Sequence, residues 1–503
     1  VTPPALELAG ITKRYPGVVA CDGIDLRCGR GRVHAVVGEN GAGKTTLFQI
    51  AAGLVTPDAG RVAIGGQPLR RGGAAQARRL GLGMVQQHFL LVPTLTVADN
   101  VVLGREPGRG PLYDRAGAAA RVAATAARWG LRLDPGARVG DLSVGEQQRV
   151  EIVRVLDAGA RVLVLDEPTA VLTPQETDDL LRILRALAAT DHAVVLVSHR
   201  LQEVLAVADD ITVLRAGRVV TTMPRAAASE ADLASAIVGR PLAAPPPRRP
   251  AAPGDVVLEL RDAATAGVRG ALHGASLAVR SGEILGVAGV EGNGQHALLR
   301  AVLGIEPLVG GAVLLDGRDA GHLDVAARRR LGIAYVSDDR LGEGLVASFD
   351  LAENLLLAAP RADALGWRGW LHPARWRPRA AAELEAGGVR PSDPRLVAAT
   401  LSGGNQQKLV LARELAATTR LLVLGQPTRG VDVGGIEFLH ARIRAARDAG
   451  TAVLLVSADL SEILALADRV VVLFAGRLRG PLPIETATAT ALGRLMTGAE
   501  DAA

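Results

Sequence analysis

At 503 residues, 49% apolar and 22% charged, the chain is globular in composition and long enough for two large domains or about three ordinary ones. It holds no run of about 18 apolar residues to cross a membrane and no charged-then-apolar leader after Val1-Thr2-Pro3-Pro4. Cys21 and Cys28 are too few for a disulfide scaffold or a four-ligand zinc site, so the cytosol is the expected setting. The net charge of +5 is spread as arginine along the whole length, which predicts solvated faces rather than a nucleic-acid surface.

In chain order, residues 32–37 read as a strand, 38–43 as a loop and 44–52 as a helix. Gly38-Glu39-Asn40-Gly41-Ala42-Gly43-Lys44-Thr45 thus stands where a phosphate loop belongs, after a strand and at a helix start. Its glycines let backbone N–H groups turn toward phosphate, and the helix dipole adds to them. Lys44 is placed to reach the β/γ-phosphates and Thr45 to hold Mg²⁺. Lys13, Lys44 and Lys408 are the three lysines among 57 basic residues, so an ammonium stands here in a chain that otherwise uses arginine. Residues 162–165 form a short buried strand ending at Asp166-Glu167. Carboxylates there need a cation, which Mg²⁺ supplies at Asp166, leaving Glu167 to orient or deprotonate a water. Residues 177–188 have helical spacing, and 193–197 are a second buried strand ending at Ser198-His199. Residues 211–214 and 218–220 flank Ala216-Gly217 as a hairpin. Alternating strands and helices predict an α/β fold.

The pattern then repeats. The phosphate-loop segment returns in altered form 251 residues later as Gly289-Val290-Glu291-Gly292-Asn293-Gly294-Gln295-His296. Leu142-Ser143-Val144-Gly145-Glu146 returns 259 residues later as Leu401-Ser402-Gly403-Gly404-Asn405, and Asp166-Glu167-Pro168-Thr169 as Gly425-Gln426-Pro427-Thr428. The period is a whole domain, so the chain is a tandem duplication. Between the copies, residues 241–254 carry six prolines in fourteen positions, an extended spacer. The offset grows by eight, which predicts an insertion near 351–400. Trp367, Trp370 and Trp376 fall there, as a local aromatic core or as a contact surface for a partner.

Taken together, the phosphate loop, the Leu-Ser-Gly-Gly-type signature, Asp-Glu and the following Ser-His resemble the ATP-binding cassettes of ABC transporters, twice over. The resemblance implies tandem P-loop NTPase domains, each with a RecA-like α/β core, an antiparallel β subdomain and a helical signature subdomain. The first cassette is expected at 5–240, the linker at 241–254 and the second cassette at 255–497. In that family two cassettes pack head to tail, so ATP lies between one phosphate loop and the other signature. Carried over, Tyr15 stacks on adenine, and Gly38 through Thr46 bind the phosphates with Ser402, Gly403 and Gly404 of the other cassette. Thr45, Gln87 and Asp166 serve Mg²⁺; Glu167, His199 and Gln87 are the catalytic set.

The second copy departs at these positions: Gln295 for Lys44, His296 for Thr45, Asp338 for Gln87, Gly425 for Asp166, Gln426 for Glu167 and Ala458 for His199. No aromatic stands near 264–268 to match Tyr15. Each lost charge-assisted bond forfeits roughly 1.5–3 kcal/mol, so this half is expected to hydrolyse nothing. The first signature is also poorer: Val144 adds bulk and Glu146 a negative charge near phosphate. Head-to-tail pairing would therefore give one competent composite site per chain. Two fused cassettes without a span look like the ATP-binding subunit of bacterial sugar and nucleoside importers. The strings at 84–89, 170–176, 292–295 and 426–438 favour the nucleoside branch. That resemblance implies two integral-membrane permease subunits, an extracytoplasmic solute-binding protein acting indirectly, and peripheral attachment at the cytoplasmic face of the cell membrane. A soluble translation or DNA-repair ATPase with paired cassettes is the alternative; the short Pro-rich linker and the lack of zinc-binding cysteines disfavour it.

Overall fold

The structure is a computed structural model that describes residues 3–16, 18–39, 41–70, 72–86, 89–109, 112–169, 172, 174–198, 200–240, 253–267, 270–290, 292–358, 366–367, 370–371, 373–415, 419–496 and 498. Asn40, Gln87, His199 and linker residues 241–252 lie outside the described residues. The chain divides into two compact units, Val1–Ala244 and Pro245–Ala503.

The first unit opens with β1 (Leu6–Tyr15), β2 (Val18–Cys28), β3 (Val33–Gly38), α1 (Lys44–Ala51), β4 (Ala59–Ile64), β5 (Gln67–Pro68), α2 (Ala74–Arg79) and β6 (Leu82–Val85). A helical block follows: α3 (Val97–Val102), the small hairpin β7 (Gly108–Arg109) and β8 (Leu112–Tyr113), α4 (Arg115–Arg128) and α5 (Val144–Asp157). The unit closes with β9 (Val162–Asp166), α6 (Pro174–Ala189), β10 (Ala193–Val197), α7 (Leu201–Val207), β11 (Asp210–Arg215), β12 (Arg218–Pro224) and α8 (Glu230–Val238). An antiparallel sheet runs β2-β1-β4-β5. A second sheet runs β6-β9-β10-β3-β11-β12, parallel except at β12. The runs Val33–Gly38, Val162–Asp166 and Ala193–Val197 are buried at every position. Continuous apolar strands of this kind suit a parallel sheet with both faces covered.

The second unit repeats the plan: β13 (Val256–Thr265), β14 (His273–Arg280), β15 (Ile284–Ala288), α9 (Gln295–Leu303), β16 (Leu308–Leu315), β17 (Arg318–Asp319), α10 (Val325–Arg330) and β18 (Ile333–Val336). Its helical block holds α11 (Leu351–Leu356), the hairpin β19 (Gly366–Trp367) and β20 (Trp370–Leu371), α12 (Pro373–Ala386) and α13 (Gly403–Leu415). Then come β21 (Leu421–Gly425), α14 (Val433–Asp448), β22 (Ala452–Ser457), α15 (Leu460–Leu466), β23 (Arg469–Phe474), β24 (Arg477–Pro483) and α16 (Ala489–Met496). The sheet order β18-β21-β22-β15-β23-β24 matches the first unit strand for strand.

The eight extra residues of the second copy are distributed, which corrects the single insertion expected near 351–400. β18 still follows β6 by 251 residues, whereas α11 follows α3 by 254 and α12 follows α4 by 258. Three of the eight therefore precede residue 351, where Arg340–Gly344 forms a one-turn π-helix with no counterpart among the described residues of the first unit. Trp376 belongs to the local core: it is buried among α11–α13 residues, and its Nε1 donates to the Ala352 carbonyl at 2.7 Å. Trp367 and Trp370 pair across the β19–β20 hairpin, and β7–β8 supplies the same hairpin in the first unit.

Candidate active site

Asp166 at the end of β9 sits beside Val197 of β10, which sits beside Val36 of β3. The segments that follow all three strands thus leave one carboxyl edge of the sheet, the edge at which open α/β sheets bind ligands. After β3 the loop turns tightly. Gly43 has φ 96°, and a Cβ there would lie 2.0 Å from the Ala20 carbonyl oxygen; a Cβ on Gly38 would lie 2.3 Å from that of Leu214. Both glycines are therefore sterically required. Ala42 is buried, Gly41 exposed, Glu39 and Thr46 half-buried and Thr45 exposed.

Lys44 is buried at the start of α1, and its Nζ donates to the carbonyl oxygens of Gly38 (2.7 Å) and Glu39 (2.9 Å). The ammonium thus sits against the loop that would wrap a phosphate chain. Thr45 Oγ1 donates to Asp166 Oδ2 at 3.0 Å. Asp166 is 3% exposed, and burial raises its carboxyl above the usual carboxylate range; Glu167 adds to the rise, while the Thr45 hydrogen bond and Lys44 oppose it. A hydroxyl and a carboxylate at this distance are the oxygen donors a hard divalent cation takes. Glu167 is held at φ 49°, unusual for a residue that is not glycine, with its N–H donating to the Val197 carbonyl. That turn fixes the carboxylate just past the buried strand end. Tyr15 is 43% exposed at the tip of β1, with the Lys13 ammonium 5.5 Å from its ring centroid.

One contact has no signal in the motifs. Thr169, two residues past Glu167, donates from Oγ1 to Glu203 Oε2 of α7 at 2.5 Å, and Arg200 bonds the same carboxylate. The segment carrying the candidate base is thereby tied to the helix that follows position 199.

The second unit builds the same edge from different chemistry. Gln426 keeps the left-handed turn, at φ 41° with its N–H on the Val456 carbonyl, but carries an amide. Gln295 folds back on its own loop: Nε2 donates to the Val290 carbonyl (2.5 Å), and Oε1 accepts from the Asn293 N–H (3.1 Å). The amide thus bonds the carbonyl equivalent to the one Lys44 takes at Glu39, but brings no charge. Gln295, His296, Asp338, Gly425, Gln426 and Ala458 line one small cleft of about 10 Å³.

The two signatures differ in where the serine proton goes. Ser143 caps α5 and donates its hydroxyl to Glu146 Oε2 at 2.9 Å, a capping box in which the Glu146 side chain also accepts the Ser143 N–H. Glu146 thus folds onto the cap, where the sequence suggested a charge presented to phosphate. Ser402 instead accepts from Asn405 Nδ2 at 3.0 Å, which leaves its proton for an anion. Val144 is exposed at the position that Gly403 holds in the other signature.

A protein-family model described as ABC transporter matches residues 21–170 and again 272–429. The chain belongs to the ABC transporter family. A ribose import ATP-binding protein of Rubrobacter xylanophilus is 42% identical, covering 99% of this chain and 99% of that one. A nucleoside import ATP-binding protein of Lactococcus lactis is 40% identical over 98% of each chain. A guanosine import ATP-binding protein of Bacillus subtilis is 40% identical, covering 98% of this chain and 97% of its own. This ABC protein is thus a tandem-cassette ATPase. Among its described residues no helix is long and apolar enough to cross a membrane.

Proposed function

We propose that this chain is the energising subunit of a bacterial importer for a nucleoside or a simple sugar, bound at the cytoplasmic face of two membrane-spanning permease subunits and served indirectly by an extracytoplasmic solute-binding protein. Relatives named for ribose, nucleoside and guanosine import, each matched over nearly its full length, support that reading. One catalytic set per chain is the second part of the proposal. The observation that carries it is the unequal equipment of the two loops: the Lys44 ammonium and the Thr45–Asp166 pair in one, the neutral Gln295 amide and the bare Gly425 strand end in the other.

Lys44 and the loop N–H groups bind the phosphates, and Tyr15 supplies a stacking face for the base. Thr45 and Asp166, with Gln87, are the residues that would hold Mg²⁺, which supplies charge neutralisation at the β/γ-phosphates when bound. Glu167 accepts a proton from, or orients, the attacking water, and His199 serves the γ-phosphate. The Ser402 hydroxyl and the N–H groups of Gly403 and Gly404 add donors when ATP draws the cassettes closed, and product release reopens them. The cassette turns γ-phosphate contacts into motion, while solute selection rests with the partners.

The test reconstitutes the chain with its permeases in vesicles. Glu167→Gln is expected to bind ATP as tightly as the unaltered chain yet lose at least a hundredfold in ATPase rate, and with it uptake. Undiminished uptake by Glu167→Gln would contradict the proposal.

A further inference from the structure

Two side chains in the second unit's cleft have no part in ATP turnover. His296 Nε2 lies 3.5 Å from Asp338 Oδ2, beyond a normal hydrogen bond. It matches the spacing of two donors on one tetrahedral ion, about 3.4 Å for bonds of about 2.1 Å. The Asp338 side chain is 8% exposed, and its Oδ1 is buried without a hydrogen-bond partner among the described residues; His296 is 58% exposed. A carboxylate oxygen so placed is costly until a cation or a donor joins it.

Their placement also points to a cation. His296 stands in α9 where Thr45 stands in α1, and Asp338 follows β18 as position 87 follows β6. Two of the three positions assigned to Mg²⁺ in the first unit thus still carry metal-ligating side chains. Gly425 has replaced the strand-end carboxylate, and a Cβ there would lie 3.3 Å from the Asp338 backbone nitrogen. With no side chain at 425, the segment carrying Asp338 packs closely over that position. The carboxylate has in effect moved from one strand end to that of its neighbour, since β18 and β21 are paired. Gln295 is neutral, so the ammonium that would repel a lone cation is gone.

We propose that His296 and Asp338 hold a divalent cation, and that the imidazole turns the preference from Mg²⁺ to a borderline ion such as Co²⁺ or Zn²⁺. Imidazole nitrogen suits these ions, whereas Mg²⁺ keeps to oxygen. Two protein ligands leave the remaining positions to water or to a ligand phosphate. The site belongs to the second unit alone and does not depend on turnover in the first.

The test titrates the full, metal-stripped, nucleotide-free chain with Co²⁺ by equilibrium dialysis and visible absorption. The unaltered chain is expected to bind one equivalent more than either His296→Ala or Asp338→Asn, with a ligand-field band that both variants lack and that a tenfold excess of Mg²⁺ does not abolish. Thermal melts in chelator check that the variants fold. If one does not, Co²⁺-induced shifts of the His296 ring protons in the unaltered chain decide the matter. Equal Co²⁺ uptake by all three proteins, displacement of the band by equimolar Mg²⁺, or unshifted His296 protons would overturn the proposal.

Discussion

Gly43 and Gly41 separate two reasons for a glycine in one loop. Gly43 combines φ 96° with a Cβ position 2.0 Å from the Ala20 carbonyl oxygen, whereas Gly41, at φ 84°, has open space around its Cβ position. Gly43→Ala must move β2 or the loop, while Gly41→Ala carries only the left-handed penalty of about 1–2 kcal/mol. Titration with a fluorescent ATP analogue is expected to show at least a hundredfold weaker binding for Gly43→Ala and no more than about thirtyfold for Gly41→Ala; equal losses would contradict the steric account. At this scale much of the site was legible. Lys44, Thr45 and Asp166 stand in spacings whose chemistry is specific, and the strand ends bring Thr45 and Asp166 within hydrogen-bond distance. Asp338 was legible only as a mismatch to Gln87. Its isolation depends on the bare Gly425 position of a strand paired in space and distant in sequence.

The helices α5 and α13 show how one residue at the third helical position redirects a signature. Glu146 completes a capping box and takes the Ser143 proton, whereas Asn405 donates to Ser402 and leaves its proton available. Ser-x-x-Glu is a sequence signature of that box. Glu146 is therefore readable as a cap from sequence, and the box turns its charge onto the Ser143 cap. Asn405→Glu is expected to install the box in α13. It should leave the melting temperature unchanged or raise it slightly, since caps contribute roughly 0.5–2 kcal/mol, while lowering the ATPase rate at least tenfold. A full ATPase rate in a stably folded Asn405→Glu variant would remove the Ser402 proton from the account. Three of the eight added residues fall outside the expected stretch for a related reason. Motif offsets fix the total length added but not where it enters, and the π-helical turn at Arg340–Gly344 has no periodic apolar pattern to betray it.

Across the molecule, duplication explains why so much of the fold could be read in advance. A strand order repeated in both units follows from repeated buried runs such as Val162–Asp166 and Leu421–Gly425, each ended by the same turn at Glu167 and Gln426. The scaffold is shared while the chemistry is not: the same left-handed turn holds a carboxylate in one unit and an amide in the other. The central claim is that the two units divide the work unequally, one cleaving phosphate and the other not. It is tested most directly by mixing the complete transporter with excess radiolabelled ATP and counting the phosphate released per chain in the first turnover. The account predicts one equivalent, abolished by Lys44→Ala and unaffected by Gln426→Ala; a burst of two equivalents would contradict it.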